Sequence, residues 1–299
     1  MRRARPGWTA PASLVLIACL VPGACGSPGD AREAAPAAPA DSAIVVTDAA
    51  GRVVRLAHSP TRVLSLIPAV TRLMVELGAR DALVGRTDFD TLAILGNLPS
   101  VGGGLQPDLE RVLTLAPELV VRFEGDQDRV TGPALDQRRI PHIGVRPDRI
   151  EDIRAIVREM GRVMSRTAAA DSLIARIDGE LAEVRARVAG QQPRKVAYVL
   201  GGTPPWVAGP GTFISDLLAV AGGENVFADL EQLYAPVSLE ELVARDVGAF
   251  VVGRGTVLNP RLRDRAPVLE VSTDVESPGI GLGQSALELA RVLHPDAFR

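Results

Sequence analysis

Two stretches of this chain, 130 positions apart, carry one pattern. "DLERVLTLAPELVVRF" runs from Asp108 to Phe123 and "SLEELVARDVGAFVVG" from Ser238 to Gly253. Leu109-Glu110 matches Leu239-Glu240, and Val120-Val121 matches Val251-Val252 within one residue. Upstream of each copy lies a short apolar strand, "RVLSL" (Arg62 to Leu66) or "KVAYVL" (Lys195 to Leu200), then a loop and a helical pattern ended by glycine. A repeated β-loop-α-β-α-β unit implies two similar α/β lobes. Between them, Arg149 to Ala189 is almost continuously helical in pattern. The second of its two helices carries Leu173, Ile177, Leu181, Val184 and Val188 on one stripe. An ordinary surface helix would look similar, but its length and its place between two like halves predict a connecting strut. The expected boundaries are a lobe over 44–165, a helix over 166–190 and a lobe over 191–299. Ligands of open α/β sheets bind beyond the carboxyl ends of the strands. Two facing lobes therefore predict one shared cleft.

Smaller elements complete each half. "AIVVTDAAGRVVRLA" alternates around Ala50-Gly51 and predicts a β-hairpin. Val70, Leu73, Met74 and Leu77 predict a helix stopped by Gly78, and "ALVGR" (Ala82 to Arg86) a further strand. "GPALDQRRI" and "PHIGV" predict a helix and a strand. Pro204 to Gly211 reads as irregular loop, and "GIGLG" (Gly279 to Gly283) as loop.

The first 43 residues belong to neither lobe. Arg2, Arg3 and Arg5 precede "ASLVLIACLVPGA", an apolar run too short for the roughly 20 residues of a bilayer span and broken by Pro22. A cysteine closing such a run resembles the lipobox of bacterial lipoproteins. "PGAC" at Cys25 has the better distance and leads straight into a linker; "LIAC" at Cys19 is the alternative, and an ordinary cleaved signal the third reading. All three export the protein, with a lipid on the cysteine as its only membrane attachment in the first two. Residues 26–43, rich in Gly, Pro, Ala and Asp, predict a flexible tether.

Composition removes several classes of function. A net charge of −3 argues against a nucleic-acid binder. Both cysteines lie in the first 25 residues, so the body has no disulfide, thiolate metal site or cysteine nucleophile. No G-x-S-x-G is present, and Ser215 has no recognisable partner base. "GGTPPWVAGPG" lacks the GK[ST] of a phosphate loop, and its prolines remove N–H donors. His58, His142 and His294 are widely separated and read as solvated surface residues rather than metal ligands. No catalytic residue and no metal site is expected.

What remains is scarce aromatic surface. Only ten residues are Phe, Trp or Tyr. Phe89 follows "ALVGR", Phe123 ends a strand, Trp206 follows "KVAYVL", and Tyr234 lies in the loop before the helix capped at Ser238. All four are predicted at or after strand carboxyl ends, two in each lobe. Loop aromatics supply rigid contact area suited to a flat or macrocyclic ligand; core packing is the bland reading, weightier for Phe89 and Phe123. Pro205 beside the tryptophan joins this set, with Arg254 and Asp88 as weaker polar candidates. Glu110 and Glu240 form the other matched pair. Each sits in the first turn of its helix, where an acid complements the helix dipole for only about 0.3–1 kcal/mol. The same pair would also suit a partner presenting two arginines.

The residues from about Val63 onward are similar to those of the ABC-importer substrate-binding proteins that carry vitamin B12, haem and iron-siderophores. The resemblance lies in "RVLSLIPAVTRLMVELGARDALVGRTDFD", "LPSVGGGLQPDLERVLTLAPELVV", "PPWVAGPGTFISDLLAVAGGENVFADL", "PVSLEELVAR" and "ALELARVLHPDAF". The cobalamin-type branch is nearest, through "PPWVAGPGTFISDLL" and "GGENVF". The resemblance implies two Rossmann-like lobes joined by one long helix, a ligand between them, and no catalysis. It implies docking to a membrane permease through Glu110 and Glu240, with ATP hydrolysis in a partner subunit, and ligand contacts at Phe89, Trp206 and Tyr234. A monomer is expected, with a corrinoid as ligand and a ferric siderophore or haem as alternatives. The chain departs from these relatives at "TDFDTLAI", at Gly104 where a B12-binding member has tryptophan, and at Gly281 in "PGIGL".

Overall fold

The computed structural model describes residues 43–299. Cys19, Cys25 and nearly all of the expected tether lie outside them. The chain opens with an antiparallel hairpin, β1 (Ile44–Thr47) and β2 (Val53–Leu56), in the register Ile44↔Leu56. Asp48 makes the turn by accepting from the N–H groups of Ala50 and Arg52.

The N-terminal lobe is built on a parallel sheet of β3 (Val63–Ser65), β4 (Leu119–Phe123) and β5 (His142–Val145), in that order. Buried on both sides, these strands are mostly apolar, with Ser65, Arg122 and His142 as buried polar exceptions. Helices α1 (Pro68–Glu76), α2 (Leu109–Thr114) and α3 (Thr131–Gln137) connect them. "ALVGR" is not a strand. Residues 80–82 form a 3₁₀ turn, Leu83 makes a single bridge to Val63, and Arg86 leaves to bridge Ser100.

In the C-terminal lobe, β6 (Arg194–Gly201), β10 (Ala249–Gly253) and β11 (Val268–Val271) form the matching parallel trio, in the order β11-β10-β6. Helices α6 (Phe213–Val220), α7 (Leu239–Ala244) and α8 (Pro260–Arg263) serve it as α1, α2 and α3 serve the first. The duplication is close: β4 begins eleven residues after the cap Asp108, and β10 eleven after the cap Ser238. This lobe is extended by β7 (Trp206–Ala208), β8 (Gly223–Asn225) and β9 (Tyr234–Pro236). Both β7 and β9 fall where irregular loop was predicted.

Two long helices stand between the lobes, α4 (Ile150–Val163) and α5 (Thr167–Val188). The 22 residues of α5 extend about 33 Å at 1.5 Å per residue. Its predicted stripe is buried throughout, joined by Ala170. Packed on it are α4 and α9 (Leu282–Leu293), whose first turn takes Leu282 and Gly283 from the supposed loop. One apolar core runs through both lobes along α5, while each lobe keeps a smaller cluster of its own. Among the described residues no helix is long and apolar enough to cross a membrane.

Candidate functional site

The carboxyl end of β6 is where the chain turns sharply. Gly201 and Gly202 have φ of +95° and +96°, a region open to glycine. A Cβ on Gly202 would sit 3.1 Å from the Trp206 ring. This turn sends β7 back antiparallel along β6, with Trp206 opposite Gly201 and Val207 opposite Val199. On the other side β9 pairs with β7, placing Tyr234 opposite Ala208 and Pro236 opposite Trp206.

Residues directly opposite share a face, as do residues two apart on one strand. Trp206 and Tyr234 therefore stand on one face of the β7–β9 ribbon, while Val207 packs into the lobe's private core on the other. Trp206 holds the rim, 45% exposed. Tyr234 lies two positions deeper and half-buried, not at a strand's carboxyl end as the sequence suggests. Its ring packs against the core that runs through both lobes. Burial raises its hydroxyl pKa, with the charges of Asp148 and Glu276 adding to the effect. The hydroxyl thus stays a neutral donor.

Those two acids come from different lobes. Asp148 lies between β5 and α4, held 2.7 Å from Arg146. Glu276 lies between β11 and α9, beside Tyr198, whose hydroxyl donates to it at 3.3 Å. Further contacts mark the same boundary. A Cβ on Gly279 would lie 3.2 Å from Ala69 at the start of α1. Asp216 of α6 takes hydrogen bonds from the Arg149 side chain at 2.7 Å and the Ile150 N–H at 3.1 Å. Glu276 accordingly lies near where the lobes approach each other, its charge and that of Asp148 act on Tyr234, and Trp206 stands two positions farther along Tyr234's face of the ribbon.

Phe89 is exposed, at 67%, in the loop that follows Thr87. Asp88 accepts from the Ser100 hydroxyl, and its N–H donates to Gly102. Phe123 ends β4 as expected; it is half-buried against the shared core, its ring folded over Gly125. Arg254 is exposed just past β10. Pro205 and Glu240 border one cavity of about 620 Å³ within the C-terminal lobe, walled also by Gly202, Val257 and Leu262. Glu110 and Glu240 are both exposed, each the second residue of a six-residue helix. Asp108 caps α2 by accepting from Glu110 and Arg111 N–H, and Ser238 caps α7 through Glu241 N–H. Glu241 does not close a capping box; its carboxylate turns to Arg245 at 3.0 Å.

Gly104 is a close approach. A Cβ there would come within 2.1 Å of the Leu66 carbonyl oxygen. With this backbone no side chain fits, so the position holds no counterpart of a tryptophan.

Two histidines overturn the surface reading. His294 is buried and faces the Gly222 carbonyl at 3.0 Å. His142 is 3% exposed at the start of β5. Arg122 Nε donates to its Nδ1 at 3.1 Å, so Nε2 carries the proton toward Asp136 at 3.0 Å. Arg52 lies against the same ring. Arg122 in turn reaches Glu124 and Asp128. This network runs from the buried Arg122 and His142 out to the surface at Asp136, and it is not legible in the sequence because its arginines come from the β1–β2 turn and from β4. Burial, then the charges of Arg52 and Arg122, depress the His142 pKa, with Asp136 opposing. The folded protein therefore binds this proton less readily than the unfolded chain. Stability is full above the ordinary histidine range near pH 6.5 and falls as pH drops through the window below it. Thermal melts between pH 7.5 and 5 should show this loss, and His142→Asn should flatten it; an equally steep dependence in the variant would exclude His142 as the cause.

Against known sequences, the family described as periplasmic binding protein matches residues 63–261, two thirds of the chain. The chain belongs to this family. Within the periplasmic binding proteins, a cobalamin-binding protein of Halobacterium salinarum is 31% identical over 218 residues, covering 69% of this chain and 57% of that protein. The chain thus spans little more than half the length of that relative. A vitamin B12-binding protein of Salmonella typhimurium is 29% identical over 196 residues, or 65% of this chain and 73% of the relative. In structure, the periplasmic vitamin B12 binding protein of Vibrio cholerae superposes with a TM-score of 0.67 at 19% identity, covering 81% of this chain and 99% of that one. A periplasmic haem-binding protein from Roseiflexus gives 0.66 at 22%, covering 79% and 98%. At these identities the structural likeness is one of fold: α/β, with two Rossmann-like lobes, one long connecting helix and a cleft between.

Proposed function

We propose that this protein is an extracytoplasmic receptor that captures a corrinoid in the interlobe cleft and delivers it to an ABC importer. The observation that carries this reading is the shared face of Trp206 and Tyr234, a rim aromatic beside a deeper one on which charges from both lobes act. An indole and a phenol on one face offer a flat apolar surface with a neutral donor at its inner edge, which suits a macrocycle fringed with hydrogen-bonding groups. The relatives named for cobalamin and vitamin B12 support the same cargo. Phe89, Phe123, Pro205, Asp88 and Arg254 would contribute from the surrounding loops. The division into lobes at 44–165 and 191–299, joined by the helix at 166–190, accounts for a ligand held between halves.

The chemistry is binding alone. In this reading a lipid on Cys25, or on Cys19, holds a monomer at the membrane, and a permease with its ATPase subunits completes the importer. Haem or a ferric siderophore is the second cargo, favoured by Tyr234, whose hydroxyl has no hydrogen-bond partner among the described residues and could reach a ligand. Titration of the purified protein with cyanocobalamin, cobinamide, haemin and a ferric siderophore tests both. Tight binding of a corrinoid is expected; a preference for haemin or siderophore would replace the cargo, and binding of none would refute the receptor reading.

A further inference from the structure

The floor beneath Trp206 and Tyr234 has a definite electrical character. Tyr198 of β6 and Tyr234 of β9 lie on the same side of the sheet, separated by the small side chain of Ala208. Glu276 reaches this pair from the β11–α9 connection, accepting from the Tyr198 hydroxyl at 3.3 Å. The carboxylate is pressed against β10, for a Cβ on Gly253 would come 2.6 Å from Glu276 Oε1. Three residues later the same connection touches the N-terminal lobe at Ala69, so Glu276 stands at the boundary between lobes. Asp148 approaches Tyr234 from the opposite lobe.

Compensating charge is missing from this floor. Among the described residues Glu276 is in no ion pair, and its one side-chain partner is a neutral phenol. Two arginines near the boundary are already committed, Arg146 to Asp148 and Arg149 to Asp216, each at 2.7 Å. Arg254 follows the last residue of β10 and is exposed, a loop residue in contrast to the half-buried Glu276. Burial holds the Glu276 carboxyl above the usual carboxylate range. A bound ligand would dry this floor further and strengthen every interaction there.

We infer that Glu276, held from beneath by the buried Tyr198 and flanked by Tyr234, is the specificity-determining floor of the cleft: it accepts ligands that present N–H or O–H donors, and it discriminates against ligands carrying free carboxylates. The inference rests on the receptor reading above and narrows it to neutral, amide- or hydroxyl-fringed macrocycles. A carboxylate on the ligand would meet the unpaired Glu276 as a like charge, Asp148 being offset by Arg146, whereas an amide N–H would find an acceptor.

One ring with two fringes isolates the effect. Haemin and its diamide, in which both propionates become carboxamides, share the iron and the macrocycle. The purified full chain is expected to bind the diamide at least about tenfold tighter than haemin, the scale of one like-charge contact a few ångströms away in a partly dry site. Glu276→Gln should tighten haemin and bring the two affinities within about threefold, while Glu276→Asp, which keeps the charge, should preserve the preference. Equal affinities in the unsubstituted protein, or a preference untouched by Glu276→Gln, would overturn the inference and leave the macrocycle receptor standing. Failure to bind either ring would overturn the inference, because the diamide is itself an amide-fringed macrocycle, and would leave the receptor reading to the cyanocobalamin titration.

Discussion

Trp206→Ala is expected to weaken corrinoid binding by up to about sixtyfold while leaving the fold intact. The side chain is 45% exposed, so about 100 Å² of its surface remains for a ligand to cover. At about 25 cal/mol per Å² this corresponds to roughly 2.5 kcal/mol, the range of a binding hot spot. Because the indole stands at the rim, its loss opens no internal cavity, and the melting temperature should stay close to that of the parent. Tyr234 behaves differently. Tyr234→Phe keeps the packed ring and removes one donor, which costs about 1 kcal/mol or roughly fivefold in affinity. Tyr234→Ala would also disturb the shared core against which the ring packs. Isothermal titration of the three variants with cyanocobalamin distinguishes these losses. An unchanged dissociation constant in Trp206→Ala would remove the indole from the site.

The two-lobed plan was legible because its elements repeat with matching caps and spacing. Six-residue helices behind Asp108 and Ser238, each followed by an apolar strand, leave the same trace twice. The buried stripe of α5 was equally readable, since 22 helical residues hold a clear 3.6-residue period. Short, non-local pairing was not. Three-residue strands such as β7 and β9 carry no period, and β9 finds its register on β7 across the intervening α6 and β8. "ALVGR" shows the converse error: its alternation suits a strand, yet only Leu83 bridges β3 before the chain turns toward Ser100. The aromatic residues could be picked out by scarcity, but that Trp206 and Tyr234 share a face depends on that unread register. Glu276 and Asp148 were invisible for the same reason, being brought to Tyr234 from separate connections in opposite lobes.

Glu110→Ala combined with Glu240→Ala is expected to reduce ligand uptake by cells to near background while ligand affinity stays within about twofold. The two carboxylates stand at equivalent points of the duplicated unit, exposed and outside any ion pair among the described residues. Helix capping does not depend on them, because Asp108 and Ser238 perform it. The next acid along α7, Glu241, is by contrast tied to Arg245. A free carboxylate held at the start of a helix is well presented to a guanidinium. Truncating one member of such a pair once docked costs about 2–5 kcal/mol, much of it from the charge left unpaired on the partner. The lobes are held apart by one stiff helix, so engagement of one glutamate places the other near its partner and the contacts reinforce each other. Either single variant forfeits this reinforcement, so the double variant should lose less than the product of the two single effects. Purified double variant with normal ligand affinity but normal uptake would remove both residues from the docking surface.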